Sequence, residues 1–347
     1  MPFSMTRNDI TKIKVDAIVN AANTRLQMGG GVCGAIFAAA GADRLQTACD
    51  AYAPIETGEA VITQGFKLPA KYIIHTAGPI YKDGKQGEES LLRSCYINSL
   101  KLAVEYKCES IAFPLISSGI YGYPKADALR VATDAITDFI GEHDINVALV
   151  VFDKAATLVN EGLLGAVESY IDEHYVDKLS VSRLHLLDFE GSAPSTQFNE
   201  ILNIPKQVRE KASPKVFAAQ SIGQSLDDLV GNLDEPFSTT LLRLIDSTGR
   251  TDAEVYRRAN IDRRLFSKIR SNENYAPSKS TVLAFAIALE LTLDQTDDLL
   301  ERAGFALSNS RKFDVIVEFF IQSRNFDIFE INQVLFSYDQ PLLGEHL

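Results

Sequence analysis

The chain has 347 residues, 46% of them hydrophobic and 23% charged, with a formal net charge of −12. This length predicts two or three domains, and the composition is typical of folded globular proteins and excludes a disordered chain. The negative charge argues against a protein whose whole surface binds nucleic acid or anionic membrane. No apolar run approaches the roughly 18 residues of a membrane span, and no signal-peptide pattern opens the sequence, so we expect a cytoplasmic protein that does not contact membranes.

The first 175 residues alternate short β-branched runs with longer helical patterns. The helical patterns cover 89–106 and 124–143, the second opening with Pro124 at its expected first helical position. The compact apolar runs predict strands at 15–20, 59–65, 72–77, 110–116 and 146–152. This alternation predicts an α/β domain with helices on both faces of a sheet.

The first strand runs into residues 20–41, which read NAANTRLQMGGGVCGAIFAAAG and hold no charge between Arg25 and Asp43. A strand that passes through consecutive glycines into a helix leaves several backbone N–H groups unpaired, and such a point binds anions without a cation. The segment fits neither the P-loop pattern nor the dinucleotide fingerprint. A plain tight turn at Gly29, Gly30 and Gly31 is the alternative.

A second stretch, FPLISSGIYGYPKADA at 113–128, repeats the arrangement of strand, glycine loop and helix. Two such loops at the carboxyl ends of two strands can enclose a ligand from both sides, where open α/β sheets usually bind. Facing rows of backbone N–H groups suit a pyrophosphate. Two unrelated glycine turns are the competing interpretation.

The four cysteines are Cys33, Cys49, Cys95 and Cys108, with no CxxC pair and no histidine at metal-ligand spacing. We expect reduced thiols, and neither a disulfide framework nor a zinc site. No cofactor and no metal are expected.

Four segments in this order resemble the macrodomain family: NDITKIKVDAIVNAAN, GGGVCGAI, YIIHTAGP and PLISSGIYGYP. The resemblance covers roughly residues 3–175, within a predicted domain at 1–176. It implies a three-layer α/β/α fold around a mixed, mostly parallel sheet of about six strands. It also implies that the domain binds ADP-ribose.

The resemblance assigns roles position by position. Asp9 matches the carboxylate that accepts the adenine amino group, and Ile10 supplies a neighbouring backbone contact. Phe152 matches the aromatic residue against adenine, and Asn23 the residue that binds the distal ribose beside the reacting carbon. The diphosphate contacts would come from Gly30, Gly31, Val32, Ser118, Gly119, Ile120 and Tyr121.

One departure bears on catalysis. A hydrolase branch of the family commonly reads GVDGAIH, with an aspartate that helps to activate water, and this chain has Cys33 and Phe37 at those places. The viral branch has a small neutral residue there, resembles active hydrolases and is closer to this pattern. We therefore expect an ADP-ribosyl hydrolase, acting on esters of acidic side chains, nucleic-acid ends or O-acetyl-ADP-ribose, with Asn23 as its catalytic residue. The alternative is a non-catalytic reader of ADP-ribose.

The sequence predicts a linker with a short helix at 177–236 and an all-α domain at 237–347. Within the latter, 238–306 resembles a helix-turn-helix domain of the lambda-repressor type. A helix over 251–259 would be followed by a recognition-like helix over 262–270, with Leu265 and Ile269 facing the core.

Residues 250–270 hold seven Lys or Arg against three Asp or Glu. Arg263, Arg264 and Lys268 are the candidates for DNA contacts, and an ADP-ribose-responsive DNA-binding regulator is a third functional interpretation. Two further apolar helices near the carboxyl terminus favour packing, and a homodimer is one form that this packing would take.

Overall fold

A computed structural model gives the structure of residues 2–151, 161–175 and 235–344. In the first two ranges, a sheet is covered by helices. The strands are β1 (Phe3–Thr6), β2 (Ala17–Ala22), β3 (Ala60–Gln64), β4 (Tyr72–Ala77), β5 (Ser110–Pro114) and β6 (Asn146–Val150). The helices are α1 (Gly31–Ala40), α2 (Ala42–Asp50), α3 (Glu88–Glu105), α4 (Lys125–Glu142) and α5 (Glu161–His174).

The strands form one mixed sheet in the order β1-β6-β5-β2-β4-β3. β3 runs antiparallel to β4, and the other neighbouring strands pair in parallel. The prediction of a mixed, mostly parallel sheet is confirmed. Because β1, β6, β5, β2 and β4 share one direction, their carboxyl ends lie at the same edge of the sheet.

Side-chain alternation divides the sheet between two apolar layers. In β2, Ala17 and Val19 pack in the cluster that contains α3 and α4, whereas Ile18 packs in the cluster that contains α1 and α2. Small residues bring α1 close to its neighbours. A Cβ atom at Gly34 would lie 2.6 Å from the Gly29 carbonyl oxygen.

Two local predictions differ from the structure. Pro124 is the N-cap of α4, with ψ of 127°, and the helix begins at Lys125. Strand β1 was not predicted, because its four residues FSMT are too few to show a period of two. It exists through its pairing with β6, in which Val147 N–H donates to Pro2 O at 3.0 Å.

The carboxyl-terminal region is helical, as predicted. Its helices are α6 (Phe237–Thr248), α7 (Asp252–Arg258), α8 (Arg263–Ser271), α9 (Lys279–Ala288), α10 (Leu293–Arg302), α11 (Lys312–Gln322) and α12 (Ile328–Ser337). In the ranges that the structure describes, no helix is both long and apolar enough to cross a membrane.

Side-chain caps fix the boundaries of α7 and α8. Thr251 and Glu254 form a reciprocal capping box at the start of α7. Asn260 has a φ of 55° in the turn, and the Asp262 carboxylate accepts from the Arg264 N–H at 2.6 Å. The chain therefore turns sharply between two short helices at the predicted place.

The buried face of α8 is wider than expected, because Phe266 also faces the core beside Leu265 and Ile269. Phe266 and Ile269 are buried, and Leu265 is only partly buried. The Phe266 ring lies between those of Tyr256 and Phe285, with centroids at 5.7 and 6.0 Å. The aromatic side chain takes the core position because it fills this gap.

The helical region packs directly on β1 and α5. The buried Asn260 side chain accepts from Phe3 N–H at 2.6 Å and donates to Phe3 O at 2.9 Å. Phe3 also contacts Phe329, and Tyr170 of α5 contacts Phe319, with ring centroids 5.8 and 5.3 Å apart. The described residues before 176 and after 235 form one compact unit with a continuous apolar cluster. The domain boundaries 1–176, 177–236 and 237–347 stay predictions, since 176–234 lie outside the described residues.

A polar cluster lies inside the sheet at His75 of β4. Its side chain is fully buried, with Nδ1 3.1 Å from Asn20 Nδ2 and Nε2 2.9 Å from Thr63 Oγ1. Burial lowers the pKa of His75 from its ordinary value of 6.5 to about 4. The folded protein thus holds this imidazole neutral at neutral pH.

This burial predicts a specific acid sensitivity. The unfolded chain binds a proton at His75 near pH 6.5 and the folded chain does not, so the free energy of unfolding should fall as pH drops from 6.5 to 4. The loss should reach about 3 kcal/mol. Urea unfolding between pH 7.5 and 5, above the titration range of ordinary carboxylates, measures the first part of this loss, about 2 kcal/mol. The control is His75→Gln, whose free energy of unfolding should depend less steeply on pH. The same pH dependence in both proteins would contradict a neutral, buried His75.

Candidate functional site

An open cleft lies at the carboxyl edge of the sheet, where the loops after β2 and β5 face each other. Its volume is about 270 Å³. No charged side chain lines it among the described residues. The lining residues are Ala21, Ala22, Asn23, Gly29, Gly30, Gly31, Val32, Cys33, Gly78, Leu115, Ile116, Ser117, Gly119, Ile120 and Tyr121. Most of the predicted diphosphate contacts thus come together here.

The first wall is the amino terminus of α1. Gly30 is its N-cap with no side-chain cap, and the first turn holds no acidic residue. The N–H groups of Gly31, Val32 and Cys33 therefore have no intrahelical acceptor. Gly31 has a φ of 61°, a conformation that favours glycine. This wall offers backbone donors and the positive end of a helix dipole to an anion.

The second wall is the loop 117–122. Its turn is closed by the N–H groups of Ser118, Gly122 and Tyr123, which donate to Leu115, Gly119 and Ser117 carbonyls, respectively. Between them, the N–H groups of Gly119, Ile120 and Tyr121 have no acceptor among the described residues. They form a second row of backbone donors.

The two walls approach each other at their tips. A Cβ atom at Gly30 would lie 3.4 Å from Ile120 Cδ1, and the Ile120 side chain is 83% exposed. An anion between the walls would meet N–H groups from both sides without a neutralising cation. Such a site suits a diphosphate better than a single phosphate, because the donors form two rows.

Asn23 stands at the entrance of the first loop with its amide group fixed. Its Oδ1 accepts from Arg25 N–H at 3.1 Å and Gln27 N–H at 3.2 Å, and Nδ2 donates to Gln27 O at 2.8 Å. A primary amide has two N–H groups, so one donor remains for a ligand. These three bonds orient the side chain before any ligand arrives.

The structure places Ser117, and not Ser118, in the cleft. Ser118 Oγ donates to Leu115 O at 2.8 Å, so this side chain closes its own turn. Ser117 has a φ of 63°, and its buried Oγ has no partner among the described residues. Gly78 leaves room for it, because a Cβ there would collide with Ser117 Oγ. Sequence reasoning missed Ser117 and Gly78, since SSG does not reveal which serine turns inward.

Cys33 lies on the floor of the cleft and is 5% exposed. Its Sγ is 4.0 Å from Gln27 O, and in the described parts of the chain no histidine or lysine lines the cleft with it. Cys49, Cys95 and Cys108 are also buried, and none of the four cysteines forms a disulfide. A thiol without a basic neighbour is a poor nucleophile at neutral pH.

Asp9 and Ile10 lie outside this cleft, after the end of β1. Asp9 Oδ1 accepts from Thr11 N–H at 3.0 Å and Thr11 Oγ1 at 2.7 Å, and its Oδ2 is 3.3 Å from Lys12 Nζ. The Thr11 bonds, followed by the Lys12 charge, lower the pKa of Asp9. Ile10 is buried. Phe152 lies outside the described residues, so its predicted contact with adenine stays a prediction.

The basic residues predicted to contact DNA lie on exposed positions of α8. Arg264 pairs with Glu109 at 2.7 Å, and Arg263 lies 3.8 Å from Asp144. Both acidic partners precede strands of the sheet, at its amino edge. The positive charge of this helix therefore faces negative charge within the same compact unit. A role of Arg263, Arg264 and Lys268 in DNA binding stays a prediction.

Comparisons with known proteins match the amino-terminal part. A family model described as Macro domain matches residues 19–132. A macro domain-containing protein of Chlorobaculum tepidum is 54% identical over 134 residues, covering 39% of this chain and 77% of that protein. The O-acetyl-ADP-ribose deacetylase of Escherichia coli is 44% identical over 166 residues, covering 46% and 93%. The solved Oceanobacillus iheyensis macrodomain with ADP is 41% identical, with a TM-score of 0.43, covering 48% of this chain and 91% of that one.

Proposed function

The chain belongs to the macrodomain family, and from that premise we propose that its cleft binds ADP-ribose and hydrolyses ADP-ribosyl esters. The observation that carries the proposal is the pair of facing N–H rows in an uncharged cleft. A diphosphate has oxygens on two linked phosphorus atoms and can accept from both rows at once. In a chain of net charge −12, such fixed donors stabilise an anion locally.

The order of the strands supports the orientation of the ligand. Asp9 follows β1, and Asn23 follows β2, three strands away across the same edge. Three strand spacings are roughly 14 Å. Adenine would lie at the β1 end, where Asp9 accepts from its amino group, and the diphosphate between the two loops. The distal ribose would then lie at Asn23, beside the first loop.

The chemistry of the site points to orientation of water rather than to a strong base. No carboxylate or imidazole lines the cleft among the described residues. In an ester of ADP-ribose, water adds to the acyl carbon and the bond from that carbon to the ribose oxygen breaks. The ribose oxygen leaves and takes up a proton from the water, so the products are a carboxylic acid and ADP-ribose. The ligand's own diphosphate and the loop backbone would orient that water, and the free N–H of Asn23 would hold the ribose. The similarity to an O-acetyl-ADP-ribose deacetylase supports ester hydrolysis.

For the helical region, DNA binding and self-association stay predictions. DNA contacts by Arg263 and Arg264 would have to open their ion pairs with Asp144 and Glu109. Exposed ion pairs of this kind typically contribute about 0–1 kcal/mol of stability. Their presence therefore does not distinguish DNA binding from self-association.

The backbone cradle predicts that binding is sensitive to charge placed on the loops. Gly119→Glu and Gly30→Glu should weaken ADP-ribose binding by roughly 100-fold or more, since each carboxylate repels the diphosphate. Neither glycine has a positive φ, and Gly119 has open space for a side chain. Calorimetry measures the affinities.

Two controls separate charge from bulk. Gly119→Gln has almost the same volume without the charge and should bind more tightly than Gly119→Glu. Gly165→Glu, on an exposed position of α5 with open space around it, should bind like the wild type. Arg25→Gln should change the dissociation constant by less than about tenfold. A large loss from Arg25→Gln would show that a side-chain cation holds the diphosphate.

The orientation mechanism predicts distinct effects on turnover. Asn23→Ala should lower the rate of ADP-ribose release by about 10²–10³, the usual effect of removing one preorganised donor, with a smaller effect on ADP-ribose affinity. Cys33→Ala should be nearly silent, and Cys33→Asp should be as active as the wild type or more so. Mass spectrometry of ADP-ribose released from a glutamate-ADP-ribosylated protein, and from O-acetyl-ADP-ribose, gives the initial rates.

Two results would change the interpretation. A wild type that binds ADP-ribose but releases none from either substrate would be a non-catalytic reader. Cys33→Ala that binds normally and has no activity would show that the thiol takes part in the reaction.

A further inference from the structure

The carboxyl-terminal region holds the segment that carries Asp9. The Arg7 guanidinium pairs with the Asp339 carboxylate, donates to Phe336 O at 3.3 Å and lies 4.6 Å from the centroid of the Phe336 ring. Phe336 belongs to α12, and Asp339 follows it. Three different interactions thus hold the Arg7 side chain, two residues before Asp9.

The other side of Asp9 is fixed locally. Thr11 donates twice to Asp9 Oδ1, and Lys12 N–H donates to Asp9 O at 2.9 Å. These bonds shape the turn, but they do not attach it to the rest of the protein. Its attachment comes from β1, an edge strand of four residues, from Arg7, and from Ile10, which is buried in the apolar cluster of α1 and α2.

A groove of about 640 Å³ separates this segment from the carboxyl-terminal residues. Asn8 and Lys12, which flank Asp9, lie on one wall, and Phe336, Gln340 and Leu342 on the other. Arg7 and Asp339 also line this groove, and their ion pair joins the two walls. The helical region therefore holds the wall that carries Asp9 on the Arg7 side, and the buried Ile10 holds it on the other.

We propose that Arg7 and Asp339 are positioning residues for adenine recognition, which makes the helical region part of the ligand site. This inference rests on the proposed binding of ADP-ribose with Asp9 at the adenine. A carboxylate discriminates an amino group from a carbonyl only when distance and angle are held within narrow limits. Releasing Arg7 frees the Asp9 turn to shift, so discrimination between bases falls.

The test compares ADP-ribose with its hypoxanthine analogue, in which a carbonyl replaces the adenine amino group. Asp339→Ala and Arg7→Met should each weaken ADP-ribose binding about tenfold, the effect of one impaired hydrogen bond. Binding of the analogue should hardly change, so the ratio of the two dissociation constants should fall. Asp339→Glu, which keeps the charge, should restore most of the ratio.

The matched control is Asp138→Ala. Asp138 pairs with Arg93 at 2.7 Å, and its side chain is 65% exposed against 53% for Asp339. This pair joins α3 and α4, and its loss should leave both affinities unchanged. Hydrogen exchange gives a readout that needs no ligand: the Thr11 amide, which donates to Asp9, should exchange faster in Asp339→Ala than in Asp138→Ala.

The outcomes separate this inference from the proposed function. If the wild type does not bind ADP-ribose, the proposed function fails and the inference fails with it. If the wild type binds and discriminates but Asp339→Ala and Arg7→Met keep the same ratio, only the positioning role is overturned. Equal losses for both ligands would also overturn it, because they would indicate a general structural effect.

Discussion

The shared direction of five strands is the constraint on which the candidate site depends. Because β1, β6, β5, β2 and β4 run in parallel, the loops that follow them begin at one edge of the sheet. Residues separated by more than 90 positions in sequence, such as Asn23 and Ile120, thereby meet across one cleft. The small side chains of α1 then allow its free N–H groups to approach that cleft. The chemistry comes mostly from the backbone, and the fold determines where the backbone is left unpaired.

Much of this arrangement could be predicted from the sequence, because its determinants are local. The apolar runs indicate the strands, and the glycine clusters indicate loops that need unusual dihedral angles. Three features could not be predicted, because each depends on distant partners. Strand β1 exists through its pairing with β6, Ser117 faces the cleft through the conformation of its turn, and Phe266 joins the core between the rings of Tyr256 and Phe285. The ion pairs of α8 with Glu109 and Asp144 could not be predicted either, because a count of charges within 250–270 does not include these distant partners.

The helical region and the sheet share one apolar cluster, which bears on how the parts of this chain can act. A module that is only tethered can signal by moving, whereas a region that buries Phe3 of β1 and contacts α5 affects the strands that it covers. Its residues Phe336 and Asp339 contact Arg7, which lies two residues before Asp9. The carboxyl-terminal region is therefore structurally coupled to the β1 side of the candidate site.

Asn260 has a consequence for the behaviour of the protein at high concentration. An edge strand exposes N–H and C=O groups that can pair with a strand of another molecule, and natural proteins block this route to aggregation. At Phe3, the Asn260 amide occupies both groups, as a neighbouring peptide unit would. Its left-handed backbone conformation in the α7–α8 turn, with φ of 55°, suits asparagine better than most residues. One side chain thus caps the edge of β1 at Phe3 and denies the peptide groups of that residue to a strand of another chain.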